Sequence, residues 1–234
     1  MISQNKFVAG FRDLARKNLV ISIAGESGLG KTSLALYLIG NLLPIENASC
    51  VWVQASELFP KKRMISMFQK NTSVLDYLNN NLFIVPKSSC KDQSSLNDTI
   101  KLFFSRETVL PPNIKYVVID NISHHLRYRL EQIQDINGRI LCVNDFFYSF
   151  LQPFLSYCAT NNVIPILIHE MSFNPGLNQN KMFFYKLFER IESLFLSLRK
   201  SDRSNGLNVI TITHKKCEWN LKYKLSTDGF DFYF

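Results

Sequence analysis

"GESGLGKTS" (residues 25–33) lies between the apolar run "NLVISIA" and the helix-like "LALYLIGNLL". The run before it, from Asn18 to Gly25, is short, β-branched and ended by glycine, the pattern of a strand buried on both faces. The residues after it predict a helix reaching about Leu43, where Pro44 stops it. Gly25-x4-Gly30-Lys31-Thr32 matches G-x-x-x-x-G-K-[ST] without a gap, in the strand–loop–helix setting that the pattern requires. Gly25, Gly28 and Gly30 let the backbone wrap closely around phosphates. Glu26, Ser27, Gly28, Leu29, Gly30, Lys31, Thr32 and Ser33 then form the cradle, with successive N–H groups and the helix N-terminus facing the anion. Lys31 would reach the β- and γ-phosphates of a nucleotide and Thr32 would offer its hydroxyl to Mg²⁺.

Such a loop needs a carboxylate at the end of a neighbouring strand to hold the magnesium, directly or through water. "KYVVID" supplies Asp120, 88 residues beyond Thr32. A strand-terminal aspartate can also cap a helix; paired with the loop, Asp120 reads as the second metal-holding residue beside Thr32.

Working outward, strands alternate with helices. "ASCVWVQAS" and "NNLFIVPK" read as strands, the second cut short by Pro86, with the basic helix "LFPKKRMISMFQK" between them. "SLNDTIKLFFSRE" is amphipathic and helical, and "IKYVVIDN" is the clearest strand. The polar stretch "SHHLRYRLEQIQDINGR" precedes a long apolar helix from about Ile140 to Thr160. "NVIPILIHE" is a fifth strand, "MSFNPGLNQNKM" a loop, and "FFYKLFERIE" a short element. Finally "SLFLSLRK" and "LNVITITHKK" flank Asn205-Gly206, a hairpin signal. The expected architecture is α/β, a mostly parallel central sheet flanked by helices with a C-terminal antiparallel hairpin. With 234 residues, 46% of them hydrophobic, and no linker or repeat, it is expected to be one domain over 1–234.

No stretch approaches about 18 consecutive apolar residues, and the N-terminal residues lack the apolar centre of a signal peptide. The expectation is a soluble intracellular protein, cytoplasmic, nuclear or nucleoid-associated, without membrane contact. Five scattered cysteines, with no CxxC pair and no zinc spacing, read as reduced, mostly structural thiols. The formal charge of +8 favours polyanionic partners, nucleic acid first.

These residues together resemble the RecA/RadA recombinase ATPase core, a RecA-like P-loop NTPase, and in particular the short archaeal RadB-like paralogs. The resemblance rests on "ISIAGESGLGKTSLALYL", on "VWVQ" followed by Pro60, on "YVVIDNISHHLRYRL", on "NDFFYSFLQPFLSYCATNNVIPILIHE", and on the final hairpin with "KYKLSTDGF". It implies an ATP-binding, DNA-associated accessory factor in recombination and repair, with single-stranded DNA and a recombinase or paralog protein as partners in a homo- or hetero-oligomer. The implied DNA loops fall at about Ser123 to Arg139 and Ser172 to Lys181, which makes Arg127, Arg129, Arg139 and Lys181 the candidate DNA-binding residues. About 17 residues precede the first strand, so no separate N-terminal DNA-binding domain is expected.

Two departures from the family pattern bear on catalysis. The implied catalytic glutamate position holds Ser56, with Glu57 one residue late; serine cannot hold the water's proton as a carboxylate can. Where the family carries Asn-Gln, this chain has His169-Glu170, and a carboxylate facing a γ-phosphate is repulsive unless a cation intervenes. His169 reads as a sensor or general acid, or as a hydrogen-bonded structural residue. The candidate catalytic residues are therefore Lys31, Glu57 and Glu170, and the expected ATPase is weak or partner-dependent. The same departures suit an alternative of another class, a KaiC-like nucleotide-gated interaction subunit without DNA contact.

Overall fold

The computed structural model describes residues 4–17, 20–105, 108–174, 176, 178–201 and 206–233. In chain order the elements are α1 (Gln4–Arg16), β1 (Ile21–Gly25), α2 (Lys31–Glu46), β2 (Ser49–Gln54), α3 (Lys61–Phe68), α4 (Thr72–Asn81), β3 (Leu82–Val85) and α5 (Gln93–Lys101). They continue with β4 (Ile114–Asp120), α6 (His124–Glu131), α7 (Ile136–Asp145), α8 (Gln152–Thr160), β5 (Ile164–His169), β6 (Met171–Asn174), β7 (Gln179–Met182) and α9 (Tyr185–Phe188). Four strands finish the chain: β8 (Leu194–Lys200), β9 (Asn208–His214), β10 (Cys217–Ser226) and β11 (Gly229–Tyr233).

Nine strands form one sheet in the order β11-β10-β9-β8-β1-β5-β4-β2-β3, and β6 and β7 make a separate two-stranded ribbon. The strands from β8 to β3 run parallel, with Ile23 opposite Ile168 on one side and Leu196 on the other. From β8 to β11 the pairing is antiparallel. Alternation along the inner strands fills two cores, one on each face. Cys50, Trp52, Tyr116 and Val118 face the helices α1–α4, while Val51, Val53, Val117 and Ile119 face α5–α9. The parallel strands are therefore apolar almost throughout, and their C-terminal ends are where polar residues collect.

The architecture agrees with the expected mostly parallel sheet and antiparallel C-terminal end, and several boundaries differ. Pro44 lies inside α2; Leu42 and Leu43 are fully buried and hold the helix in place until Asn47, whose left-handed φ of 46° ends it. The apolar helix begins earlier than Ile140: Asp135 caps α7 through the Gly138 N–H, and α7 and α8 join through a π-helical segment, Phe146–Leu151. The polar stretch before it is itself helical in α6. "MSFNPGLNQNKM" is the β6–β7 ribbon rather than a plain loop, because Ser172 pairs with Lys181 and Asn174 with Gln179; Pro175 and Leu177 lie outside the described residues. The antiparallel end has four strands rather than two, since "KYKLSTDGF" runs from β10, which pairs with β9, into β11, which pairs with β10. Asn18 of the first expected strand, Arg106 and Glu107 of the fifth helix, and Asn205 of the hairpin signal also lie outside the described residues.

Among the described residues no helix is long and apolar enough to cross a membrane. The five cysteines are free, with Cys50, Cys90, Cys142 and Cys158 buried and Cys217 exposed.

Candidate functional site

The C-terminal ends of β1, β2, β4 and β5 open onto a cavity of about 550 Å³. One wall is the phosphate loop. Gly28 and Gly30 have φ of 80° and 89°, which side chains with a Cβ rarely adopt. Gly25 is tight for another reason: a Cβ there would stand 2.9 Å from the Leu198 carbonyl oxygen of β8. The loop is braced from behind, where the Tyr223 hydroxyl of β10 donates to the Leu29 carbonyl oxygen at 2.8 Å, and both side chains are buried. Arg63 of α3 donates through Nε to Ser33 Oγ at 3.1 Å and through Nη1 to the Thr227 carbonyl oxygen at 2.8 Å, tying the start of α2 to the β10–β11 turn.

Lys31 opens α2 and folds its side chain back over the loop, where Nζ donates to the carbonyl oxygens of Gly25 at 2.9 Å and Glu26 at 3.1 Å. Burial lowers its pKa, and the charges of Asp120, Glu170 and Glu57 work against that. Thr32 Oγ1 donates to Asp120 Oδ2 at 2.8 Å, so the two residues expected to hold a metal are already in contact. Asp120 is 8% exposed. Burial pushes its carboxyl up to about 6, opposed by the Thr32 hydrogen bond and the Lys31 charge, while the nearby Glu57 adds to the rise. A buried carboxylate with a raised pKa is short of positive charge, and a cation beside it would supply that charge. Among the described residues no cluster of three His, Cys, Asp or Glu could hold a metal unaided. One carboxylate and one hydroxyl suit Mg²⁺, which keeps waters and takes phosphate oxygens as further ligands.

The facing wall is built differently. Ser56 follows β2 and accepts the Asn121 N–H on Oγ at 3.3 Å, while the Ala55 and Ser56 N–H groups donate to the Asp120 carbonyl oxygen at 2.9 and 3.1 Å. Ser56 is thus occupied as a support for the end of β4. Glu57 is exposed, lines the same cavity and lies near enough to influence Lys31 and Asp120.

Glu170, just past β5, is the hub of this wall. Its Oε1 accepts from Asn121 Nδ2 at 3.0 Å and lies 3.0 Å from His124 Nδ1, and its Oε2 is 3.0 Å from Arg127 Nη1. Burial would raise the Glu170 carboxyl, but the hydrogen bonds from His124 and Asn121 and the Arg127 charge outweigh it and hold the group below its ordinary value. The carboxylate expected to repel a phosphate therefore carries its own counter-cation. His169 lies behind this wall, fully buried and edge-on to the Phe188 ring at 4.4 Å. Neither ring nitrogen has a hydrogen-bond partner among the described residues, and burial lowers its pKa to about 3. The imidazole is a neutral packing group, neither of the hydrogen-bonded kind nor open to the cavity.

The candidate DNA residues separate in space. Arg127 lines the cavity beside the loop. Arg129, on the same helix, is half-exposed and 3.8 Å from Asp145. Arg139 is exposed on α7 and donates through Nε to the Ile133 carbonyl oxygen at 2.7 Å. Lys181 is on the ribbon, with Nζ 5.5 Å over the Tyr185 ring. The ribbon itself touches the loop, because Asn180 Nδ2 donates to Glu26 Oε1 at 2.6 Å.

Several site residues carry weak sequence signals. Asn121 and His124 are ordinary polar residues after a strand, and only the fold brings them to Glu170. Tyr223 was more legible, since "LKYKL" alternates apolar and polar and marks Leu221, Tyr223 and Leu225 as one inward face.

No protein-family model matches the chain. Over 123 residues, 48% of this chain, it is 30% identical to "DNA repair protein RAD57" of Saccharomyces cerevisiae, and the match spans 25% of that protein. Among solved structures it is similar to the RadB recombinase, with a TM-score of 0.67 and 21% identity over 90% of this chain and 89% of that one. The chain has a RecA-like fold and resembles the RecA/RadA recombinases, in a RadB-like form.

Proposed function

We propose that the chain is an ATP- and Mg²⁺-binding recombinase paralog that associates with DNA as an accessory factor in recombination and repair, with weak or partner-dependent ATP hydrolysis. The observation that carries the nucleotide reading is the contact between Thr32 and Asp120, at 2.8 Å, beside a loop whose lysine is already folded over it. Thr32 and Asp120 would hold Mg²⁺, which would supply positive charge to neutralise the phosphates. The loop N–H groups and Lys31 bind the phosphates and fix their position.

The facing wall supports slow hydrolysis. Ser56 supports the Asn121 N–H and carries no carboxylate. Glu170 is held by three partners, which takes away its freedom to receive a proton from water. Glu57 is the carboxylate in the cavity with room to orient water, and it depends on the conformation of the segment after β2.

The DNA reading rests on the RecA-like fold, the similarity to a DNA repair protein over part of the chain, and the charge of +8. Arg129, Arg139 and Lys181 are its proposed phosphate contacts, and Arg127 joins that surface to the nucleotide cavity. A recombinase or paralog protein is the proposed partner, in an intracellular setting. One observation favours the second reading, a nucleotide-gated partner-binding subunit without DNA contact: Lys181 is the single Lys or Arg between residues 171 and 182.

Fluorescence anisotropy of labelled single-stranded DNA, with Mg²⁺ and no nucleotide, ADP or ATP, separates the two. The recombination reading expects binding that weakens steeply with salt and shifts with nucleotide. Absence of binding in every state would discard it for the second reading.

A further inference from the structure

We propose that Arg127 is a recognition residue for the terminal phosphate of a bound nucleoside triphosphate, held in reserve by Glu170 and exchanged from that carboxylate to the phosphate. The inference rests on the nucleotide reading above and deepens it.

Arg127 and Glu170 line the same cavity as Gly28, Gly30, Lys31, Thr32 and Asp120. Before any ligand is considered, the cavity holds two permanent cations, Lys31 and Arg127, against the carboxylates Glu57, Asp120 and Glu170. Lys31 serves the loop side. On the other side the guanidinium is the nearest source of positive charge, and its partner is a carboxylate, the side chain whose geometry most resembles two oxygens of a phosphate.

The guanidinium is placed to move without leaving its support. Its carbon lies 5.2 Å over the Tyr128 ring and 5.3 Å over the Phe183 ring, so aromatic faces hold the plane while the nitrogen donors change partner. Its side chain is 30% exposed, and its second carboxylate, Glu131, is 3.7 Å away on the solvent side. Glu170 does not become an orphan when Arg127 leaves, because Asn121 and His124 still donate to Oε1. A terminal phosphate carries more charge than a carboxylate and so competes for the guanidinium; a diphosphate is one phosphate shorter and is expected not to reach Arg127. The exchange has a structural reader, since the Glu170 carbonyl oxygen accepts the Phe183 N–H at 2.9 Å and Phe183 directly follows the β6–β7 ribbon.

The test is equilibrium binding of fluorescent ATP and ADP analogues, in Mg²⁺, to the full chain and four variants. Arg127→Ala should weaken the triphosphate about tenfold, the size of one charge-assisted hydrogen bond, and change the diphosphate by less than about twofold. Arg127→Lys should restore part of the triphosphate affinity, and Glu170→Gln should tighten the triphosphate by freeing the guanidinium. Equal losses for both nucleotides in Arg127→Ala, or no loss, would overturn the proposal, as would Glu170→Gln weakening the triphosphate. Lys31→Ala is the separate control: the underlying nucleotide reading fails if that variant still binds both nucleotides normally, whatever Arg127 does.

Discussion

The two walls of the cavity at the strand ends are made from the same parts, the ends of parallel strands, and they differ in what those ends are committed to. On the loop side the side chains engage only the loop and its metal-side carboxylate: Lys31 donates to the Gly25 and Glu26 carbonyl oxygens, Thr32 donates to Asp120, and Tyr223 and Arg63 brace the backbone from outside. On the facing side the polar groups are committed to each other, Ser56 to Asn121 and Glu170 to Asn121, His124 and Arg127. A wall made of a glycine-rich loop at a helix start presents backbone N–H groups that can bind an anion. A wall whose acceptors are already engaged cannot readily activate water. On the proposed nucleotide reading, binding and hydrolysis are therefore separable.

The largest expected effect breaks the loop side. Lys31→Ala should lower ATP affinity by about a hundredfold or more while leaving the circular dichroism spectrum unchanged, since the side chain holds only two loop carbonyls in the fold. Isothermal titration calorimetry checks it, and an unchanged affinity would remove the site assignment.

The next effect belongs to the structure beneath the facing wall. Burial holds the folded His169 imidazole near 3, against 6.5 when unfolded. Between those values the unfolded chain binds the extra proton, so the contribution is complete above about pH 6.5 and is lost as pH falls. Stability should be lower by about 2 kcal/mol at pH 5 than at pH 7 from this group, and His169→Leu should flatten that part of a urea-midpoint profile against pH.

Sharpening the facing wall should do the reverse of breaking the loop. Ser56→Glu returns a carboxylate to the end of β2 and should raise ATP turnover by about tenfold in a phosphate-release assay, at the cost of the Asn121 contact. An unchanged rate would mean that Glu57 or Glu170 already serves, or that a partner is needed. The smallest effect tests the bracing: Tyr223→Phe leaves the Leu29 carbonyl oxygen without its donor and should cost about 1 kcal/mol in thermal unfolding, with a slight loss of nucleotide affinity.

The two walls were also unequally legible in the sequence. The loop side follows from local rules, because a strand, a glycine-rich turn and a helix start are contiguous, and Asp120 is marked by the apolar run before it. The parallel sheet followed from the alternation of elements. The facing wall assembles Ser56, Asn121, His124, Arg127 and Glu170 from three strand ends and a helix, and no spacing rule ties residue 56 to 121 or 127 to 170. Ser56 and Glu170 could be singled out by resemblance, but the pairing that neutralises Glu170 needed the fold. Arg127 shows the same limit: its neighbours Tyr128 and Arg129 suggest a DNA surface, and that it also lines the cavity beside Glu170 needed the fold. The β6–β7 ribbon reads as a loop because its polar residues lack strand patterning, and cross-strand pairing decides it.

The separation of binding from hydrolysis is tested most directly by loading the purified chain with radiolabelled ATP and Mg²⁺, isolating the complex, and following the fate of the bound nucleotide. The account predicts a stable complex from which most nucleotide is recovered as triphosphate over many minutes, with Lys31→Ala retaining none. Rapid conversion to bound ADP by the chain alone would contradict it, and would mean that the facing wall activates water in spite of its engaged carboxylate.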